Sequence, residues 1–240
     1  MRAYFNVSVM PKSLDTQALA DADMFSHLGR EALEAVIAAG RVRPLPPGRV
    51  IFSQGEPGLS CHSLLDGRVK IVQARPDGAQ SVIRFIGPGE MYGTVAALME
   101  RPFPADAVAV VDSLEIYWPL SVMRELMSRH PDIAMGSAAA AGQRLFELQD
   151  RVGDLAGERV ERRIARTLLR LIRQAGRNTS LGVEIDFPVT RQELAEMAGS
   201  TLHTVSRTLA AWDERELIGG GRRRIVVRDV AGLTALAGPM

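Results

Sequence analysis

Between Pro188 and Val227 the chain carries residues spaced for reading a polyanion. Thr190-Arg191-Gln192-Glu193 has the form of a capping box, in which a Thr and a Glu three residues on satisfy each other's backbone N–H. Ala195 is small where two helices would cross, and Gly199 permits a left-handed turn four residues later. Val205 and Leu209 would bury a second helix, starting near Thr201, against the first. That places His203, Ser206 and Arg207 outward, beside Leu202. An arginine donates two hydrogen bonds to guanine O6 and N7, so Arg207 is the candidate for base readout, with His203 and Ser206 modulating it. Thr190, Arg191, Thr201 and the triplet Arg222, Arg223, Arg224 are the candidates for phosphate contacts. The triplet follows Gly219-Gly220-Gly221 and precedes the strand-like Ile225–Val227, which reads as a wing. An αα-hairpin with a basic loop would explain the triplet alone, but not the capping box, Ala, Gly and Val together. The spacing predicts a winged helix-turn-helix, and double-stranded DNA as partner.

Other reactive side chains are few. The four histidines, His27, His62, His130 and His203, are scattered, and Cys61 is the one cysteine. They supply no cluster of His and Glu for a metal, and no P-loop or nucleophile elbow is present. No catalytic residue and no metal site are expected, so a cupin-like enzyme is the weakest reading. One cysteine forms no disulfide within the chain and cannot hold an iron–sulfur cluster. His62, beside Cys61 in a strand-like run, is the one candidate cofactor ligand, since an imidazole can ligate haem iron. The plainer expectation is that Cys61 and His62 alternate inward and outward with no ligand role.

These residues need a scaffold. Residues 1–22 show no pattern and read as an N-terminal arm. Apolar spacing predicts a helix over 27–40, ended by Gly40. From Arg41 short β-rich runs alternate with Asp66-Gly67, Pro76-Asp77-Gly78 and Gly87-Pro88-Gly89, the texture of a barrel or sandwich. After Pro131 a long helix is expected. Its apolar residues Ala141, Leu145, Leu148, Val152 and Leu155 step by 4, 3, 4 and 3, which is coiled-coil seam spacing and predicts a homodimer. A second helix follows over Arg159–Gln174, and Val183–Val189 reads as a strand. Four segments result: the arm 1–22, a sensor domain 23–131, a dimerisation helix 132–157 and a DNA-binding domain 158–240. Residues 157–240 hold 14 Arg against 10 Asp and Glu, whereas the rest holds 15 basic against 18 acidic residues. A basic C-terminal part suits a polyanion partner. With no signal-peptide core and no run of 18 apolar residues, the chain is expected to be cytoplasmic, with no membrane partner.

Over about residues 24–235 the sequence resembles the CRP/FNR superfamily of bacterial regulators. The resemblance rests on Ile51-Phe52-Ser53-Gln54-Gly55-Glu56-Pro57, Leu64-Leu65-Asp66-Gly67-Arg68-Val69-Lys70, Ile86-Gly87-Pro88-Gly89-Glu90-Met91-Tyr92-Gly93 and Thr204-Val205-Ser206-Arg207. It implies an α+β fold: an N-terminal cyclic-nucleotide-binding-like β jelly roll, a long central dimerisation helix and a C-terminal winged helix-turn-helix. It also implies a homodimer on palindromic DNA, an effector that reorients the DNA-binding domains, and RNA polymerase as a partner of an activator. Cyclic-nucleotide binders place a Glu after the Gly of the phosphate segment, and then an Arg-Ser or Arg-Ala/Thr pair. Here Gly93 is followed by Thr94-Val95-Ala96-Ala97, and the later segment is Pro102-Phe103-Pro104-Ala105-Asp106-Ala107. The effector is therefore expected to differ from cyclic AMP. The stretch Gly199–Leu209, with Trp212, is similar to the NnrR-like branch, which responds to nitric oxide, with haem as the suspected cofactor. The alternative is a constitutive DNA-binding dimer whose barrel is only a scaffold.

Overall fold

The computed structural model describes residues 19–20, 22, 24–74, 80–157, 159–221 and 223–238, without the side chains at 147, 150, 151 and 154–157. Helix α1 (Arg30–Ala39) precedes eight strands: β1 (Arg41–Leu45), β2 (Val50–Phe52), β3 (Ser60–Asp66), β4 (Val69–Ala74), β5 (Gln80–Ile86), β6 (Met91–Tyr92), β7 (Asp106–Ala109) and β8 (Ser113–Pro119). The strands pair antiparallel in two four-stranded sheets, ordered β1-β8-β3-β6 and β2-β7-β4-β5. Apart from the β4–β5 hairpin, sequence neighbours thus divide between sheets, as in a jelly roll. Phe52, Leu64, Val69, Ile86, Tyr92 and Phe103 fill the space between them. The short helix α2 (Thr94–Leu98) follows Gly93, whose φ of 70° starts it.

A second core lies outside the β8–β3 face. Phe25, Val36, Cys61, Ile116, Trp118, Met123 and Leu126 meet there, bringing α1 and α3 (Leu120–Arg129) onto the sheet. The Trp118 indole donates to Val36 O at 2.8 Å, so this large ring is buried with its polar group satisfied. The expected alternation along β3 is observed: His62 points between the sheets toward Phe52 and Tyr92, and Cys61 packs in the outer core. Both are buried, because β3 is covered on both faces. One expectation changes here. Leu19 and Ala22 are buried as well, so core packing starts within the segment read as a loose arm. The rest of that arm, and the turn at Pro76-Asp77-Gly78, lie outside the described residues.

Helix α4 (Pro131–Gly157) then runs 27 residues. Its start is anchored by buried Ile133 and by Gly136, where a Cβ would come 2.1 Å from Met24 O. Further along, Leu145, Phe146, Leu148 and Val152 are 53–66% exposed. No helix among the described residues is long and apolar enough to cross a membrane.

The C-terminal unit comprises α5 (Val160–Ala175), β9 (Gly176–Thr179), β10 (Gly182–Ile185), α6 (Arg191–Met197), α7 (Leu202–Glu214), β11 (Ile218–Gly221), β12 (Arg224–Val227) and α8 (Val230–Ala237). Its sheet is ordered β11-β12-β10-β9. The strand expected over 183–189 ends at Ile185, since the chain leaves the ladder to bury Phe187 and Val189 in the core. Ile164, Leu168, Leu194, Val205 and Trp212 form that core, and Val72, Val82 and Phe85 of the barrel belong to it too.

Candidate nucleic-acid interface and barrel interior

Thr190 caps α6 through a complete capping box. Glu193 N donates to Thr190 Oγ1 at 3.1 Å, and Thr190 N donates to Glu193 Oε2 at 2.9 Å. The turn follows at Gly199, with φ of 59°, a conformation glycine adopts without the Cβ penalty. Arg163 of α5 fixes this turn, its guanidinium donating to Ala198 O and Gly199 O at 3.0 Å each. Thr201 caps α7, accepting from Thr204 N at 3.2 Å. Helix α7 buries Val205, Thr208, Leu209 and Trp212 and leaves Leu202, His203 and Arg207 exposed, with Ser206 half-buried beside them. Arg191, at the start of α6, is exposed too. Leu202, His203, Ser206 and Arg207 thus lie along the uncovered side of α7.

The wing is the hairpin β11–β12, paired up to Gly221 and Arg224. Arg223 is exposed at its tip, and Arg222 lies outside the described residues. Arg224 differs from expectation. It donates to both Glu184 oxygens, at 2.7 and 2.8 Å, a fork that holds it against β10 rather than leaving it free for a phosphate. Hydrogen bonding from Arg224 holds the Glu184 carboxyl below its usual range.

Inside the barrel, His62, Tyr92 and Glu115 form a buried polar group between aromatic rings. His62 Nδ1 is 3.2 Å from Glu115 Oε2 and Nε2 is 2.8 Å from Ser60 Oγ. The Tyr92 hydroxyl and the Arg43 guanidinium donate to the same carboxylate. Burial pushes the Glu115 pKa up, but the hydrogen bonds from His62 and Tyr92 and the charge of Arg43 outweigh it and hold the carboxyl below its usual range. The same burial, with Glu115 alongside, drives the Tyr92 pKa well up. Glu115, Tyr92 and Arg43 were not singled out from sequence. The uncharged run Gly58–Leu65 was the available signal that β3 is covered on both faces, and so needs a polar partner across the ladder.

This arrangement does not fit haem at His62. Both ring nitrogens are engaged, and the ring stacks on Tyr92 and Tyr117 at centroid distances of 5.2 and 5.9 Å. His27 is exposed, His130 caps the end of α3 and His203 faces out from α7. Burial pushes the Cys61 thiol up to about 12, which suits a core residue and not a thiolate. No group of His, Cys, Asp and Glu among the described residues has metal-site geometry. Phe103 stacks on Phe52 at 3.8 Å beside Gly93, and Asp106 is occupied by accepting from Gln54 N at 2.6 Å.

The DNA-binding unit is docked on the outer face of β4 and β5. Lys70 Nζ donates to Glu193 Oε1 and Val82 N to Glu196 Oε2, both at 2.8 Å. Phe85 meets Phe187 at 4.7 Å, and the Arg68 guanidinium lies 4.6 Å over the Phe187 ring. Gln174 Nε2 donates to Phe85 O at 3.0 Å. Alongside this junction runs a cleft of about 1300 Å³, lined by Tyr92 and Thr94 of the barrel, Ala141 and Arg144 of α4, and Arg170 and Gln174 of α5.

A β-roll, a long helix with an exposed apolar stripe and a winged helix-turn-helix with an open reading face define a two-domain DNA-binding regulator. Comparisons with known proteins agree. The cyclic nucleotide-binding domain family model matches residues 42–130, and the Crp-like helix-turn-helix domain model matches residues 162–236. The chain is 32% identical to the cyclic AMP receptor protein of Thermus thermophilus over 218 residues, 89% of this chain and 96% of that protein. It is 24% identical over 213 residues to a CRP-like cAMP-activated global transcriptional regulator of Mycobacterium tuberculosis, covering 89% of this chain and 95% of the relative. In fold it is similar to FixK2 from Bradyrhizobium japonicum, with TM-score 0.73 and 22% identity over 84% of this chain and 98% of that one. The chain belongs to the CRP/FNR family of transcription regulators, and is a DNA-binding regulator of that type.

Proposed function

We propose that two copies of this chain pair along α4 and read a palindromic operator, with one α7 in each half-site. The observation that carries this reading is the open face of α7. Arg207 makes no ion pair among the described residues, and it stands beside exposed His203 and half-buried Ser206. Arg207 takes the guanine contact, and Thr190, Arg191, Thr201 and Arg223 meet phosphates. Arg224 acts indirectly, by bracing the wing on Glu184. Ala141, Leu145, Leu148 and Val152 form the dimer seam; the fifth seam residue, Leu155, has its side chain outside the described ones. The resemblance further implies that the regulator works in the cytoplasm with RNA polymerase as a partner, whether it activates or represses.

The effector we propose is a small molecule other than cyclic AMP. Gly93 is followed by Thr94 where cyclic-nucleotide capture would need Glu, and the segment Pro102–Ala107 supplies no Arg for a cyclic phosphate. The cleft between barrel, α4 and α5 is the site that suits it, because a ligand there touches both domains and would favour one spacing of the two α7 helices. Membership of the nitrogen-oxide branch rests on Gly199–Leu209 and Trp212 alone, and His62 does not supply it with a haem ligand. The scaffold alternative, in which the barrel senses nothing, predicts that no small molecule changes DNA affinity.

The test is quantitative DNA binding with Arg207→Ala. It should lose about 1–3 kcal/mol on the specific site and discriminate less at one base pair per half-site. Equal losses on operator and random DNA would reduce Arg207 to a phosphate contact and refute the reading.

A further inference from the structure

We infer that Leu202 reads the 5-methyl group of a thymine, within about two base pairs of the pair contacted by Arg207. The inference rests on the DNA-reading function and names what the site recognises. Leu202 is the first residue of α7 and is 47% exposed. A single exposed leucine is ordinary on a protein surface. This one stands at the N-terminal end of a recognition helix, the end whose side chains meet base edges. Helix stability does not call for it: the cap is Thr201, and the buried face is Val205, Thr208, Leu209 and Trp212. Leu202 and half-buried Ser206, four residues apart, form one flank of the face that carries His203 and Arg207. The five helical steps from Leu202 to Arg207 rise about 7.5 Å along the helix axis, close to two base-pair steps.

The chemistry of the groove then selects the partner. Every base edge in the major groove presents a donor or an acceptor, and only thymine adds an apolar group. Against a cytosine amino group or a guanine edge, Leu202 would strip water from a polar atom and return no hydrogen bond. Against thymine it buries one methyl. That is worth about fourfold in affinity for one half-site and about fifteenfold for both.

The experiment starts with selection of bound sites from a random duplex pool by the full chain. A sparsely populated DNA-competent state lowers apparent affinity without reordering sequences, so the unliganded protein serves. Each thymine of the selected half-site is then replaced by uracil, which removes the methyl and keeps the pairing. One position should show the fourfold loss, and Leu202→Ala should bind the thymine and uracil sites alike. The inference is overturned if no uracil substitution weakens binding, if the selected half-site lacks thymine in that window, or if the uracil penalty survives in Leu202→Ala. Failure to enrich any palindrome would instead overturn the DNA-reading function itself.

Discussion

At the scale of single residues, the barrel's stability turns on Glu115. Its carboxylate is fully buried and takes hydrogen bonds from Tyr92, His62 and Arg43. Removing one member of a buried charged set leaves the others uncompensated. Glu115→Gln should therefore cost about 3 kcal/mol at pH 7, near the low end of that range because Arg43 keeps part of its exposure. The pH dependence has a definite sign. A carboxyl whose folded pKa lies below the unfolded value contributes fully above the unfolded value, and loses that contribution as pH falls through the folded one. Urea midpoints taken from pH 7 down to pH 3 should thus fall less steeply for Glu115→Gln than for the native chain. Parallel slopes would show that Glu115 is not held ionised by its neighbours.

Helix α4 raises a different question at the scale of elements. A soluble helix hides one apolar stripe, and the first turns of α4 do so through Ile133 and Gly136. Its later turns leave Leu145, Leu148 and Val152 uncovered at seam spacing, with Phe146 beside them. Phe146 was not singled out by the seam pattern, because it sits one residue off the two-position repeat. Leu148→Glu combined with Val152→Glu places two carboxylates per chain in the proposed seam. Sedimentation should then show monomers, with the barrel and helix-turn-helix still folded by circular dichroism. A dimer that persists would locate the interface elsewhere.

For the molecule as a whole, the decisive feature is that the barrel and the DNA-binding unit share a core. Phe187 contacts both Phe85 and the Arg68 guanidinium, and Lys70–Glu193 and Val82–Glu196 add hydrogen bonds across the junction. A partly exposed ion pair contributes about 0–1 kcal/mol, so the buried rings dominate this contact. Phe187→Ala should destabilise the chain by about 3–5 kcal/mol and split one calorimetric transition into two. One intact transition at a lower Tm would mean that the shared core does not couple the units.

Local patterns were legible in the residues alone. The capping box at Thr190, the turn at Gly199 and the buried spacing of Val205 and Leu209 are short-range facts, set by backbone sterics and helical period. The α+β architecture followed from turn residues dividing β-rich runs, and from the long periodic helix after Pro131. Contacts across the fold were not legible. Arg224 read as a free wing cation, and it is clamped by Glu184, forty residues earlier. Cys61 and His62 read as opposite faces of one strand, which they are, but alternation cannot tell a wall covered on one side from one covered on both, as β3 is. The assembly of Glu115 with Arg43, Tyr92 and His62, and the transfer of Val72, Val82 and Phe85 into the other unit's core, were decided by tertiary packing. Strand pairing and domain docking join residues far apart in the chain, and no local period records which partners they will meet.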